Sequence, residues 1–138
     1  MKFLLDTNVI SEAVKSEPSK SVLKMLKRHQ NEIATAAPVW HELQYGYHRL
    51  DPAPKKEIIG RFLKDVVLRN IAILPYDERA AEWHAEERAR LTLSGQTPSF
   101  VDGQIAAIAA VNGLILVTRN TEDFSRFHGL TTANWHRS

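Results

Sequence analysis

The chain has 138 residues, 43% of them hydrophobic and 25% charged, the balance of one globular domain with a core large enough to need no covalent staple. It contains no cysteine, which excludes a disulfide framework, a thiol nucleophile and a cysteine zinc site. A net charge of +2 permits a nucleic-acid partner without requiring one.

The first apolar run, Lys2 to Leu5, reads as a short buried strand. Asp6-Thr7-Asn8 follows and caps a helix from Val9 to Val14. Glu17-Pro18-Ser19 breaks the chain, and Val22, Met25 and Leu26 then recur at helical spacing. Ile33 to Ala36 reads as a second strand, and Pro38 starts a helix to about Leu50. Asp51-Pro52-Ala53-Pro54 opens another helix, in which Ile58/Ile59, Phe62/Leu63 and Val66/Val67 recur every four residues. Ile71 to Leu74 is the third strand. Asp77 caps a helix that Ser94-Gly95 stops. Thr97-Pro98-Ser99 starts an Ala- and Ile-rich helix, apolar nearly all round and therefore buried, which Asn112-Gly113 ends. Leu114 to Val117 is the fourth strand, Asn120 to Phe124 a helical turn, and Leu130 to Thr132 the fifth strand. Short apolar runs alternating with helices predict an α/β fold with a mostly parallel central sheet flanked by helices. The opening run Met1 to Asp6 is too short for a signal peptide, and no run approaches a membrane span; the expected location is the cytoplasm.

Four acids stand where such a fold does chemistry. Asp6 ends the first strand, Glu42 sits early in the helix after the second, and Asp123 follows the fourth. The carboxyl ends of parallel strands share one edge, and ligands bind there. Asp102 follows a break between two helices, so its arrival at that edge is an assumption at this point. Each acid also has a structural alternative. Asp6 is a helix cap, Ser99-Phe100-Val101-Asp102 and Asn120-Thr121-Glu122-Asp123 have the spacing of capping boxes, and Glu42 is a solvated helix acid. A cluster of carboxylates repels itself, and a divalent cation removes that penalty. Magnesium prefers oxygen ligands and keeps several waters, so two or three acids suffice.

Four segments, Leu4-Leu5-Asp6-Thr7-Asn8-Val9-Ile10, Glu42-Leu43-Gln44-Tyr45-Gly46, Val101-Asp102-Gly103-Gln104-Ile105-Ala106-Ala107 and Val117-Thr118-Arg119-Asn120-Thr121-Glu122-Asp123-Phe124, come in the order found in the PIN-domain nucleases. The chain resembles that family and, within it, the VapC-type toxins of toxin–antitoxin pairs. The resemblance implies a PIN-like three-layer fold filling residues 1–138. It implies an Mg²⁺-dependent endoribonuclease, with Mn²⁺ as a substitute, that hydrolyses RNA with a metal-activated water. By that resemblance Asp6 and Asp102 match the first and third metal-binding acids, Glu42 the second, and Asp123 the fourth. Thr118 and Asn120 match polar residues that brace them. A toxin further implies an RNA substrate, a cognate antitoxin, a homodimer and no membrane.

Other signals are weaker. Arg119 beside the acids reads equally as a phosphate contact or a solvated loop residue. Lys55, Lys56, Arg61, Lys64 and Arg69 read as a solvated helix face rather than an RNA track. Trp40, Tyr45 and Tyr47 read as packing residues rather than base-stacking ones. Gly46 either admits another backbone or simply lowers helix propensity. His41, His48 and His84 have no zinc spacing. Trp135 and His136 pack or trail; the sequence leaves them open. An aspartyl phosphatase of the haloacid-dehalogenase type would need an acid where Asn8 stands, which discounts that reading. A housekeeping RNA-processing PIN nuclease and a non-catalytic RNA- or partner-binding module remain as alternatives.

Overall fold

The computed structural model describes residues 1–137. Strand β1 (Phe3–Leu5) is buried along its whole length and lies at the centre of a five-stranded sheet. It pairs on one side with β2 (Ile33–Ala36) and on the other with β4 (Ile115–Val117). β3 (Ala72–Leu74) and β5 (Thr132–Ala133) form the edges, giving the order β3-β2-β1-β4-β5 with every pair parallel. The chain builds one side of the sheet first and then crosses β1 to build the other. A crevice therefore opens at the carboxyl ends of β1 and β4, where the winding direction reverses.

Helices flank the sheet. α1 (Thr7–Ile10) runs into a three-ten turn, Ser11–Val14, so this helix starts two residues before Val9 and tightens at its end. α2 (Lys20–Arg28) is capped by the Ser19 side chain, which accepts from the Val22 amide. α3 (Ala37–His48) carries Glu42, and α6 (Glu78–Leu93) is capped by Asp77. α7 (Phe100–Val111) buries Ile105 to Ala109 as expected, although Phe100 and Val101 at its start are exposed. Gly113, at φ +66°, ends α7 in the left-handed conformation that closes a helix at low cost. α8 (Thr121–Phe124) is a single turn.

The segment expected as one α-helix is composite. α4 (Pro54–Arg61) passes into a π-helical stretch, Phe62–Val67, before α5 (Leu68–Asn70). An apolar repeat of four outruns a turn of ~3.6 residues. The wider π turn keeps Leu63 and Val67 both buried. β5 also lies later than Leu130–Thr132. Thr132 and Ala133 take the register opposite Leu116 and Val117, while Leu130 packs against the core.

Two buried acids tie distant segments together. The Glu12 carboxylate accepts from the Ser19 amide at 2.7 Å and the Lys15 ammonium at 2.5 Å, with His136 at 3.4 Å. Glu87 accepts from Arg90 and from the His128 amide. Trp135 is buried, edge-on to Phe3 and stacked on His29, so the end of the chain packs.

Candidate active site

The register of the sheet sets the site's first contact. Leu5 is level with Val117, so the next residues, Asp6 and Thr118, emerge side by side. The Asp6 amide donates to the Val117 carbonyl at 2.9 Å. The Thr118 hydroxyl, fully buried, donates to Asp6 Oδ2 at 2.8 Å and accepts from the Asn120 amide at 3.1 Å. The other oxygen of Asp6 accepts from the Thr7 amide at 2.8 Å, so Asp6 caps α1 at the carboxyl end of β1. Burial lifts the Asp6 carboxyl above its ordinary value, against the pull of the bonds from Thr118 and Thr7, and the charge of Asp123 lifts it further.

Asp102 arrives at the same place. Ser99 caps α7 by accepting from the Asp102 amide at 3.3 Å, which fixes Asp102 in the first turn. Burial, then the charges of Asp6 and Asp123, push its carboxyl up to about 6. Asp102 therefore lies near enough to Asp6 and Asp123 to feel both charges. The capping-box alternative fails for both later acids. Among the described residues the Asp102 carboxylate makes no return bond to Ser99, and Asn120 makes no side-chain cap at all. A cleft of about 420 Å³ lies over Asp102 and Asp123, walled by Thr97, Glu122 and Arg126. A larger cavity of about 500 Å³, lined by Leu5, Ile10, Phe62 and Ile71, holds no acid.

Glu42 stands apart. Its side chain is exposed, 3.8 Å from His41 Nδ1, and walls two other cavities, one shared with Thr7 and one with Tyr76 and Gln104. Among the described residues no three acids or histidines are already gathered as a ligand set. Charge acts over longer distances than ligation does, so this does not conflict with the repulsion among the three aspartates. No Lys or Arg forms an ion pair with Asp6, Asp102 or Asp123 among the described residues. The buried Asp6 and half-buried Asp102, without an ion-pair partner and beside the exposed Asp123, fit a hard divalent cation that is ligated partly through water.

Two supports were not anticipated. Asn8 accepts from the Arg119 amide at 3.1 Å and so ties the first turn of α1 to the loop after β4. Its only signal in the sequence was its place two residues after Asp6. Behind Asp102, the buried ring of His84 packs on Gly103, with its Nδ1 2.8 Å from the Tyr76 hydroxyl. A Cβ at position 103 would lie 2.1 Å from His84 Nε2, so glycine is required there. Arg119 is exposed, and only its backbone is engaged with the site. Of the aromatic residues on α3, Trp40 and Tyr47 pack against the core as expected, whereas Tyr45 is 55% exposed.

Fold and cluster define an open parallel α/β domain with an acidic pocket at its topological switch point. The PIN domain profile matches residues 3–130. The tRNA(fMet)-specific endonuclease VapC of Shigella flexneri is 33% identical over 136 residues, covering 98% of each chain. Toxin FitB of Neisseria gonorrhoeae is 32% identical over 136 residues, 96% of this chain and 98% of its own. The crystal structure of FitAcB from Neisseria gonorrhoeae superposes with a TM-score of 0.90 at 30% identity, covering 99% of both chains. The chain belongs to the PIN-domain family and, within it, to the VapC-type toxins.

Proposed function

We propose that the protein is the toxin of a toxin–antitoxin pair and acts as a divalent-metal-dependent endoribonuclease. The observation that supports this reading is the raised carboxyls of Asp6 and Asp102, from distant parts of the chain, each lifted by burial and by the charge of Asp123, with no ion pair to either among the described residues. Nuclease names among the relatives support the reaction class, and transfer RNA is the first substrate to test because one relative is named for it. Toxin–antitoxin complexes among the structural neighbours support a cognate antitoxin as the partner.

Asp6 and Asp102 would hold the ion, Mg²⁺ or Mn²⁺, with Asp123 completing the pocket. When bound, the ion supplies Lewis acidity toward a phosphate oxygen and acidifies water. The chain's own groups do the rest. Thr118 and the Thr7 amide fix the two oxygens of the Asp6 carboxylate. Ser99 sets the first turn of α7, and Asn120, through its amide on Thr118, holds the loop that leads to Asp123. Glu42, exposed on α3, accepts a proton from the attacking water once RNA brings the phosphodiester between α3 and the aspartates. Hydrolysis breaks the P–O3′ bond and leaves a 5′-phosphate. The exposed Phe100 and Val101 are suited to a subunit contact in a homodimer.

The test is cleavage of tRNA by purified protein, scored by mapping 5′ ends, with Asp6→Asn and EDTA as controls. Cleavage by the wild type alone is the expected result. Cleavage that survives both controls removes the metal reading.

A further inference from the structure

Glu42 walls a cavity of about 350 Å³ whose lining is part acidic, part apolar and part cationic. Its lining includes Thr7 and Glu42, the apolar Leu43, Gly46 and Leu63, and the cations Arg49 and Lys55. Glu42, Gly46 and Arg49 follow at helical spacing on α3, so they form a stripe along one face. From Glu42 to Arg49 the helix rises ~10 Å, at ~1.5 Å per residue.

Gly46 is the residue that needs explaining. A glycine inside a helix costs ~1 kcal/mol relative to alanine. Nothing lies within 4 Å of the place a Cβ would take, so no neighbour requires the glycine. What the missing side chain preserves is the open space of the cavity. Phe62 and Leu63, the first residues of the π-helical stretch, also line the cavity. Such widened turns are frequent at functional sites. Arg49 is held in place by Tyr45, its guanidinium 5.0 Å from the ring centroid.

We infer that this cavity is a subsite for one unpaired nucleotide adjoining the cleaved phosphodiester, its base on the Leu43–Gly46–Leu63 floor and its phosphate on Arg49 and Lys55. A cavity with apolar lining and two cations matches a base followed by a phosphate, and along α3 Arg49 stands about two turns from Glu42, where the reacting phosphate belongs. A strand leaving the reaction site along α3 crosses this floor. The inference rests on the nuclease reading and deepens it.

The absence of cysteine from the chain makes a direct test possible. Gly46→Cys places a single small thiol in the open space. Its modification by a maleimide is followed with and without unfractionated tRNA, at concentrations where fluorescence anisotropy shows the protein bound. Bound tRNA is expected to slow modification at least tenfold. Gly46→Leu, which fills the slot while raising helix propensity, is expected to lower tRNA affinity roughly tenfold, the scale of one base contact, with its melting temperature retained. A thiol modified at the free rate while tRNA is bound overturns the subsite, as does a Gly46→Leu protein that binds tRNA like the wild type. Shielding by a partner protein but not by tRNA overturns it in favour of a peptide occupant. Wild-type cleavage with an unshielded thiol removes this inference alone, whereas a wild type that neither binds nor cleaves RNA removes the nuclease reading with it.

Discussion

Replacing Asp102 with Asn should stabilise the metal-free protein while abolishing cleavage. The Asp102 carboxyl is pushed from 3.8 to about 6 by burial and by Asp6 and Asp123. At ~1.4 kcal/mol per tenfold change in proton affinity, that displacement corresponds to ~3 kcal/mol. Asp102 is only half-buried, so solvent screening reduces the realisable gain to about 1–2 kcal/mol. The sign follows from proton counting. Between pH values near 3.8 and about 6 the folded chain binds more protons at this residue than the unfolded chain. Wild-type stability therefore falls as pH rises through that window. The advantage of Asn is absent at low pH, grows across the window and is complete above it. For a domain of this size it amounts to ~3–6 °C in Tm. The assay is thermal unfolding in EDTA below and above the window, repeated with Mg²⁺. Mg²⁺ should raise the wild-type Tm and leave Asp102→Asn nearly unmoved. An Asn variant no more stable than wild type at neutral pH refutes the argument that this carboxylate is held in repulsion.

Thr118→Val keeps shape but removes the donor to Asp6 Oδ2 and the acceptor for the Asn120 amide. It should cost about 1–3 kcal/mol in denaturant unfolding and raise the Mg²⁺ concentration needed for half-maximal cleavage. Glu12→Gln should destabilise by about 1–2 kcal/mol at neutral pH through its weakened bonds to Lys15 and Ser19. Those bonds, that to Lys15 foremost, hold the Glu12 carboxyl down from 4.5 to about 2, so its contribution is present above the upper value and lost as pH falls through the lower one. Acid titrations of the two proteins should therefore converge at the acid end. Gly103→Ala forces a Cβ against His84 and should cost about 1–3 kcal/mol by overpacking, recovered in large part when His84→Ala is added. Chemical denaturation of the single and double variants measures that coupling.

Much of the sheet could be read from the sequence because parallel strands buried on both faces are continuous apolar runs. Phe3–Leu5 and Ile33–Ala36 are of this kind and carry little else. The edges were less legible. β5 owes its two residues to the register of Leu116 and Val117 rather than to its own apolar pattern, and a pairing of that kind leaves no local signal. The π-helical stretch is similar. The doubled apolar pairs from Ile58 to Val67 announce a helix, but only the packing of Leu63 and Val67 on the core decides how widely it winds.

The site divides along the same line. Asp6 and the residues after Val117 were placed by topology, since the ends of β1 and β4 must be neighbours once the two strands pair. Asp102 was not, because a residue in the first turn of a helix that crosses the sheet takes its position from the packing of α7 as a body. Local pattern even argued for a different role, a capping box, at both Asp102 and Asp123. The structure separates the roles by the bonds that are missing. Ser99 caps α7 with its hydroxyl, and Asp102 returns no bond to it. A half-buried carboxylate that its own helix leaves unpaired, lifted by the charges of two others and in no ion pair among the described residues, is destabilising as it stands. Such an arrangement persists in a folded protein when something outside the chain completes it. That argument, rather than proximity alone, is what favours the proposed metal pocket over a coincidence of helix starts. It applies to Asp102 with more force than to the exposed Glu42, whose part depends on where the RNA lies.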